Sequence, residues 1–301
     1  MPYKILIVDL HGKSGKTTLS LGLIYALKNI GFKICPFKPL SIHDWFTDYS
    51  TTLENIKYGT IFCNDIIKLR EVSQCRQRYE FLNPIDMLTT PLDPSWFIEN
   101  NFSSMYYTYN RDILKKTVIA RTSIIHKNNI YNIGIVNQWL LEKSVANIEK
   151  EIVQKLSLNN DQIIEIFNTN SFEKVFNEYL YKAIKNSYIY LNNAEYDILL
   201  IESLKDLAWP LTNGVNVDIV LGLSPGTVLV YDAKRYKLAL SLKGTHYSIV
   251  YGLRTRDIFE YLTPLKIFRI PPLPTIFVPE MIKEKIENIA EYINKNISSV
   301  I

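Results

Sequence analysis

A chain of 301 residues with 47% hydrophobic and 21% charged side chains carries enough apolar material for a full core, as one large domain or one domain with an insertion. Its 34 basic and 30 acidic residues leave a formal charge of only +4 and lie scattered, without the basic arm or patch that marks nucleic-acid binders. No stretch approaches the ~20 consecutive apolar residues of a membrane span, the three cysteines form no C-x-x-C pair and the four histidines have no metal-binding spacing, so a cytoplasmic protein with reduced thiols and no dedicated transition-metal site is expected.

In chain order, residues 4–10 form an almost unbroken apolar run, the pattern of a strand buried on both faces, and end at a glycine-containing turn. From Thr17 onward Leu19, Leu21, Ile24, Leu27 and Ile30 recur at helical spacing until Gly31, and residues 33–37 read as the next strand. Strand, helix and strand make a βαβ unit with parallel strands and a right-handed crossover. Residues 116–126 and 130–136, separated by Lys127-Asn128-Asn129, read as a β-hairpin, and 144–186 as helical segments with polar faces. Residues 100–190 are therefore expected to be an insertion or subdomain within a single domain spanning 1–301.

Beyond this segment come strands at 196–202 and 217–223. Residues 227–232 are followed either by a second hairpin strand at 236–242 or by a helix from Asp232. A helix near 256–262, a strand at 266–270 and a closing helix at 279–293 complete the series. The expected fold class is α/β, a doubly wound, mostly parallel sheet that carries the inserted hairpin and helical segment.

The strongest motif is Asp9-Leu10-His11-Gly12-Lys13-Ser14-Gly15-Lys16-Thr17-Thr18, set between the first strand and the first helix. Glycines there turn backbone N–H groups inward as an anion nest, and the helix N-terminus adds positive potential. Gly12, Lys13, Ser14 and Gly15 would surround phosphate, Lys16 would reach the β- and γ-phosphates, the Thr17 hydroxyl would ligate magnesium, and Thr18 would donate to the α-phosphate, as in a P-loop. The competing reading is a glycine turn that merely caps a helix. Lys13 is as readily a solvated side chain as a charge-stabilising one.

This loop, the following Leu21-Gly22-Leu23-Ile24-Tyr25-Ala26-Leu27 and the strand end Pro36-Phe37-Lys38-Pro39 resemble dethiobiotin synthetase, and more broadly the P-loop branch that includes cobyrinic acid diamide synthases and partitioning ATPases. Further likenesses are Asn64-Asp65 opening a helix, Asn83-Pro84, the strand Asp197-Ile198-Leu199-Leu200-Ile201-Glu202, Trp209-Pro210-Leu211 and Ile270-Pro271-Pro272-Leu273-Pro274. The resemblance implies that Lys38 lies beside the γ-phosphate, that Asp65 and Glu202 join Thr17 as magnesium ligands, and that Pro272 and Leu273 lie near the adenine. Residues 101–193 are largely unmatched. Where the family has Gly-Ala-Gly-Gly after its acidic ligand, this chain has Ser203-Leu204-Lys205-Asp206, and Leu10 stands in place of the loop's first glycine.

Physical readings of the same residues compete with these roles. Glu202 could be an acidic residue at a strand exit, although ligands in open α/β sheets lie outside the carboxyl ends of strands. Asp65 could be a helix N-cap, and Lys38 a solvated lysine. Tyr106, Tyr107 and Tyr109 suit packing better than base stacking, since few basic residues are interleaved with them. Lys16 and Lys38 are thus the candidate catalytic residues, and ATP and Mg2+ the cofactors. The expected activity is that of a ligase-like enzyme or ATPase transferring the γ-phosphoryl group to a carboxylate or carbamate acceptor. The alternative is a regulatory ATPase whose nucleotide state controls a protein partner. A small-molecule acceptor or protein partner is implied, a homodimer is admitted, and neither a membrane nor nucleic acid is expected.

Overall fold

The computed structural model describes residues 1–10, 12, 14–126, 129–244, 250, 252–272 and 279–298. Its strands in chain order are β1 (Tyr3–Asp9), β2 (Ile34–Phe37), β3 (Leu40–Asp44), β4 (Ile85–Thr89), β5 (Thr117–His126), β6 (Asn129–Asn137), β7 (Gln162–Ile166), β8 (Ile198–Glu202), β9 (Ile219–Ser224), β10 (Thr227–Asp232) and β11 (Lys266–Arg269). The chain is α/β with two mixed sheets. It divides into two compact units, one made of Met1–Pro39, Asp65–Arg78 and Tyr188–Ile301, the other of Leu40–Asn64 and Tyr79–Ser187. The second unit therefore takes in β3 and β4 as well as most of residues 100–190.

The first unit holds the sheet β11-β10-β9-β1-β8-β2. β9, β1, β8 and β2 are parallel, and β10 runs antiparallel to both β9 and β11. β1 is buried on both faces, with Ile5, Leu6, Ile7 and Val8 all without exposed surface, which explains why its sequence runs apolar without alternation. β1 and β2 flank β8 with a common direction, as expected of a βαβ unit.

The connecting helix Lys16–Asn29 packs beside the closing helix Pro279–Ser298, whose Ile282, Ile286, Ile289, Ile293 and Ile297 form one helical stripe on the core. Gly22 makes that approach close. A Cβ built there would lie 2.4 Å from Ile282 Cγ2 and 2.8 Å from Ile286 Cδ1.

The strand register sets the working end of this sheet. Ile7 pairs with Glu202, and Phe37 pairs with Ile201, so β1, β8 and β2 finish close together. Asp9, Glu202 and Lys38 consequently leave one edge, the carboxyl end of parallel strands. The segment 227–242 takes the second of its two expected forms. Asp232 caps the helix Ala233–Leu242 by accepting from the Arg235 N–H at 2.8 Å, so no strand forms at 236–242 and the hairpin is instead β9–β10.

The second unit holds β3-β4-β5-β6-β7. Its centre is the β5–β6 hairpin, in which Ile119 pairs with Val136 and His126 with Asn129. Lys127 and Asn128 of the expected turn lie outside the described residues. β4 is antiparallel to β5, while β3 and β7 join in parallel at the two edges. β7 corrects the helical reading of 144–186. Gln162-Ile163-Ile164-Glu165-Ile166 is only five residues long and mostly exposed, and its pairing with β6 rather than its own pattern makes it a strand.

A polar network runs through this second core. Arg121 on β5 is fully buried and donates from Nε to Ile61 O at 2.8 Å and from Nη2 to Asn83 O at 2.6 Å, with Nη1 on the Ser123 hydroxyl. Burial pulls its pKa down, against the raising influence of Asp86 and Glu80. His43 Nδ1 lies 2.9 Å from Asp86 Oδ2, and Ser41 donates to the other carboxylate oxygen. Among the described residues no helix of the chain is long and apolar enough to cross a membrane.

Candidate functional site

Between β1 and its helix the backbone turns through Gly12 and Gly15, with φ of 79° and 88°. A side chain at either position would be strained in this left-handed region. Gly15 is the N-cap and provides no side-chain cap, and no acidic residue lies in the first helical turn. The helix therefore starts without the internal anion that usually answers its N–H groups.

Two ammonium groups and three carboxylates meet at this end of the sheet. Lys16 is buried, and its ammonium donates to Asp9 Oδ2 at 2.8 Å and to the Lys205 carbonyl at 2.8 Å. Glu202 is also buried. Its Oε1 accepts from Thr17 Oγ1 at 3.1 Å and from Lys38 Nζ at 2.8 Å, and its Oε2 accepts from Ser20 Oγ at 3.0 Å. Lys38 donates to Asp65 as well, so one ammonium joins two carboxylates. Burial by itself would raise the Asp65 pKa, but the Lys38 charge and hydrogen bond, helped by Thr17 and Lys16, hold it below its ordinary value.

Five of the residues expected from the sequence lie at this end of the sheet: Thr17, Lys38, Asp65 and Glu202 share one hydrogen-bonded cluster, and Lys16, next to Thr17 in the chain, is held by Asp9 and the Lys205 carbonyl. Ser14 borders it through its backbone N–H, which donates to Asp9 Oδ2 at 3.3 Å. Thr18 is half-buried beside them on the helix. Asp65 lies inside the first turn of the helix Asn64–Ser73 with its carboxylate on Lys38. Pro272 is exposed, its carbonyl accepting from Lys285 at 3.1 Å. His11, Lys13 and Leu273 lie outside the described residues.

Three participants were not foreseen. Asp9 holds Lys16, Lys205 contributes a carbonyl, and Ser20 holds Glu202. Ser20 stands three positions after Thr17, on the same helix face, and that spacing was the available signal. Asp9 was signalled by being a charge at the end of an otherwise apolar buried strand.

Asp9 Oδ1 and Ser14 Oγ are buried with no hydrogen-bond partner among the described residues. No group of three or more His, Cys, Asp or Glu among those residues is arranged to hold a metal ion. The donors suit magnesium rather than a softer metal. They are hard oxygens: the Asp65 and Glu202 carboxylates, which both accept from Lys38, and the Thr17 hydroxyl, which donates to Glu202. No family model, curated protein or solved structure matches the chain.

Proposed function

We propose that the first unit is a P-loop nucleotide-binding fold, with β9, β1, β8 and β2 as the parallel part of a doubly wound sheet, and that the chain is an Mg-ATP-dependent enzyme similar to dethiobiotin synthetase. The reaction inferred is transfer of the γ-phosphoryl group to a carboxylate or carbamate oxygen. The observation that carries this reading is the hydrogen bond from Thr17 Oγ1 to Glu202 Oε1 at 3.1 Å. A hydroxyl directly after the loop lysine, facing an acidic residue at the end of an adjacent parallel strand, is the pair that holds magnesium in P-loop NTPases. A loop that only capped a helix would have no need of that pairing.

In this reading Lys16 exchanges Asp9 and the Lys205 carbonyl for phosphate oxygens by rotation of its flexible side chain. Lys38 leaves its two carboxylates to neutralise the transferred group, and Glu202 remains oriented by Ser20. Bound magnesium, held by Thr17, Glu202 and Asp65, would supply neutralisation of charge on the phosphates. Phosphoryl transfer asks for little covalent chemistry from the protein, so positioning and charge provide most of the effect.

The segment Ser203-Leu204-Lys205-Asp206 sets the choice of acceptor. Lys205, where the family has glycine, keeps a left-handed backbone with φ of 45°, and its carbonyl is taken by Lys16. The Ser203 hydroxyl donates to Leu207 O at 2.5 Å, and the Asp206 carboxylate lies 3.4 Å from Arg254 Nη1. Side chains thus stand where the family's glycines would let the backbone approach a carbamate, which favours an acceptor other than the family's diamine.

Glu202→Gln tests the assignment. It removes one charged oxygen while keeping the side chain's shape, and it should reduce the strengthening of ATP binding by magnesium about tenfold, ~1.4 kcal/mol. Calorimetric titration of both proteins with and without magnesium measures it. A variant with the full magnesium effect would show Glu202 to be structural only.

A further inference from the structure

Two of the three cysteines, though far apart in sequence, meet in the first unit. Cys35 lies on β2 and Cys75 just after the helix Asn64–Ser73, and their Sγ atoms are 3.9 Å apart. Both are buried, Cys35 completely and Cys75 with 5% of its surface exposed. A buried cysteine is ordinarily a small apolar side chain valued for packing. Here the surroundings are polar on one side. The Tyr196 hydroxyl oxygen lies 3.3 Å from Cys75 Sγ, and Arg70 and Gln77 belong to the same turn, where Arg70 Nε donates to Gln77 O at 2.8 Å.

We infer that Cys35 and Cys75 are a dithiol modification site that peroxide converts to a disulfide, joining β2 to the turn that follows the helix Asn64–Ser73. The sulfurs, already in van der Waals contact, need to close from 3.9 Å to the ~2.05 Å of an S–S bond. The two thiols are unlike. The hydrogen bond with Cys35 pulls Cys75 down to about 6 despite its burial, with Tyr196, the Gln77 backbone and Arg70 acting in the same direction. Burial and the pairing with Cys75 push Cys35 well above the usual thiol range. Cys75, which keeps some exposed surface where Cys35 has none and lies beside the Tyr196 hydroxyl, is the attacking sulfur and Cys35 the resolving one.

The steps balance. The Cys75 thiolate attacks one oxygen of hydrogen peroxide, the O–O bond breaks, hydroxide leaves, and a sulfenic acid forms. The Cys35 sulfur then attacks the sulfenic sulfur, giving up its proton, and water leaves as the S–S bond forms. Two thiols have lost two electrons to one peroxide, which ends as two waters. The bond would tie together the two segments that carry Lys38, directly after β2, and Asp65, at the start of the helix Asn64–Ser73. It does not depend on the nucleotide reading, because it is read from the sulfurs themselves.

The test treats the full folded chain with hydrogen peroxide, quenches it, unfolds it, alkylates free thiols and maps the peptides by mass spectrometry. The expected result is a Cys35–Cys75 linked peptide lighter by two hydrogen atoms and released by dithiothreitol, with Cys63 alkylated. In Cys35→Ser the sulfenic acid on Cys75 has no resolving partner, so it should be captured by dimedone, whereas the parent chain should give little adduct. Recovery of Cys35 and Cys75 both alkylated, over-oxidation of Cys75 without linkage, or a link that includes Cys63 would each overturn the inference. Should Cys35→Ser fail to fold, the peptide map of the parent chain decides alone.

Discussion

The two units both bury charge, but they treat it differently. In the second unit the Arg121 guanidinium is answered chiefly by backbone carbonyls, those of Ile61 and Asn83, and by the Ser123 hydroxyl, so the cation is fixed to the chain itself. In the first unit Lys16 and Lys38 are answered chiefly by the side chains of Asp9, Asp65 and Glu202, with the Lys205 carbonyl also accepting from Lys16. A cation locked on carbonyls has nothing to exchange and serves the fold. Ammonium groups held by carboxylates on flexible stems can change partners.

The first way to break this contrast is Arg121→Met. It would leave the carbonyls of Ile61 and Asn83 buried without a donor, and a loss of stability on the order of 3–5 kcal/mol is expected, read from denaturant unfolding. A loss below ~1 kcal/mol would mean that Arg121 is not the central tie of its unit.

A smaller effect sharpens the other side. The Asp65 pKa is lowered in the folded chain, so its pairing with Lys38 adds stability above the ordinary carboxylate pKa, and that stability is lost as pH falls through the lowered value. Because the Asp65 side chain keeps 37% of its surface exposed, solvent screens the pair, and Asp65→Asn should cost no more than ~1 kcal/mol at neutral pH. The variant should also show a flatter acid limb when unfolding is followed against pH. An unchanged acid limb would remove Asp65 from the cluster's electrostatics.

The contrast also explains what could be read from the sequence. β1, its glycine loop and the helix from Lys16 were legible because local rules agree there: a doubly buried strand, glycines at positive φ and a 3.6-residue period. Glu202 and Lys38 were legible as strand-end residues, and the β5–β6 hairpin from its two flanking apolar runs. The Asp9–Lys16 and Cys35–Cys75 partnerships were not, since the loop motif assigns the lysine to phosphate and the cysteines stand far apart in the chain. β7 was missed because a five-residue exposed edge strand owes its conformation to β6. Arg121 gave no signal, as an arginine on a strand is ordinarily at the surface.

The most direct test is calorimetric titration of Mg-ATP into the parent chain and into Lys16→Ala, with circular dichroism to show that both are folded. Saturable binding by the parent and at least a tenfold weaker affinity in the variant are expected, because the ammonium that now holds Asp9 is the one assigned to the phosphates. Equal affinity in the two folded proteins, or no binding by the parent, would contradict the assignment of the loop as a nucleotide site.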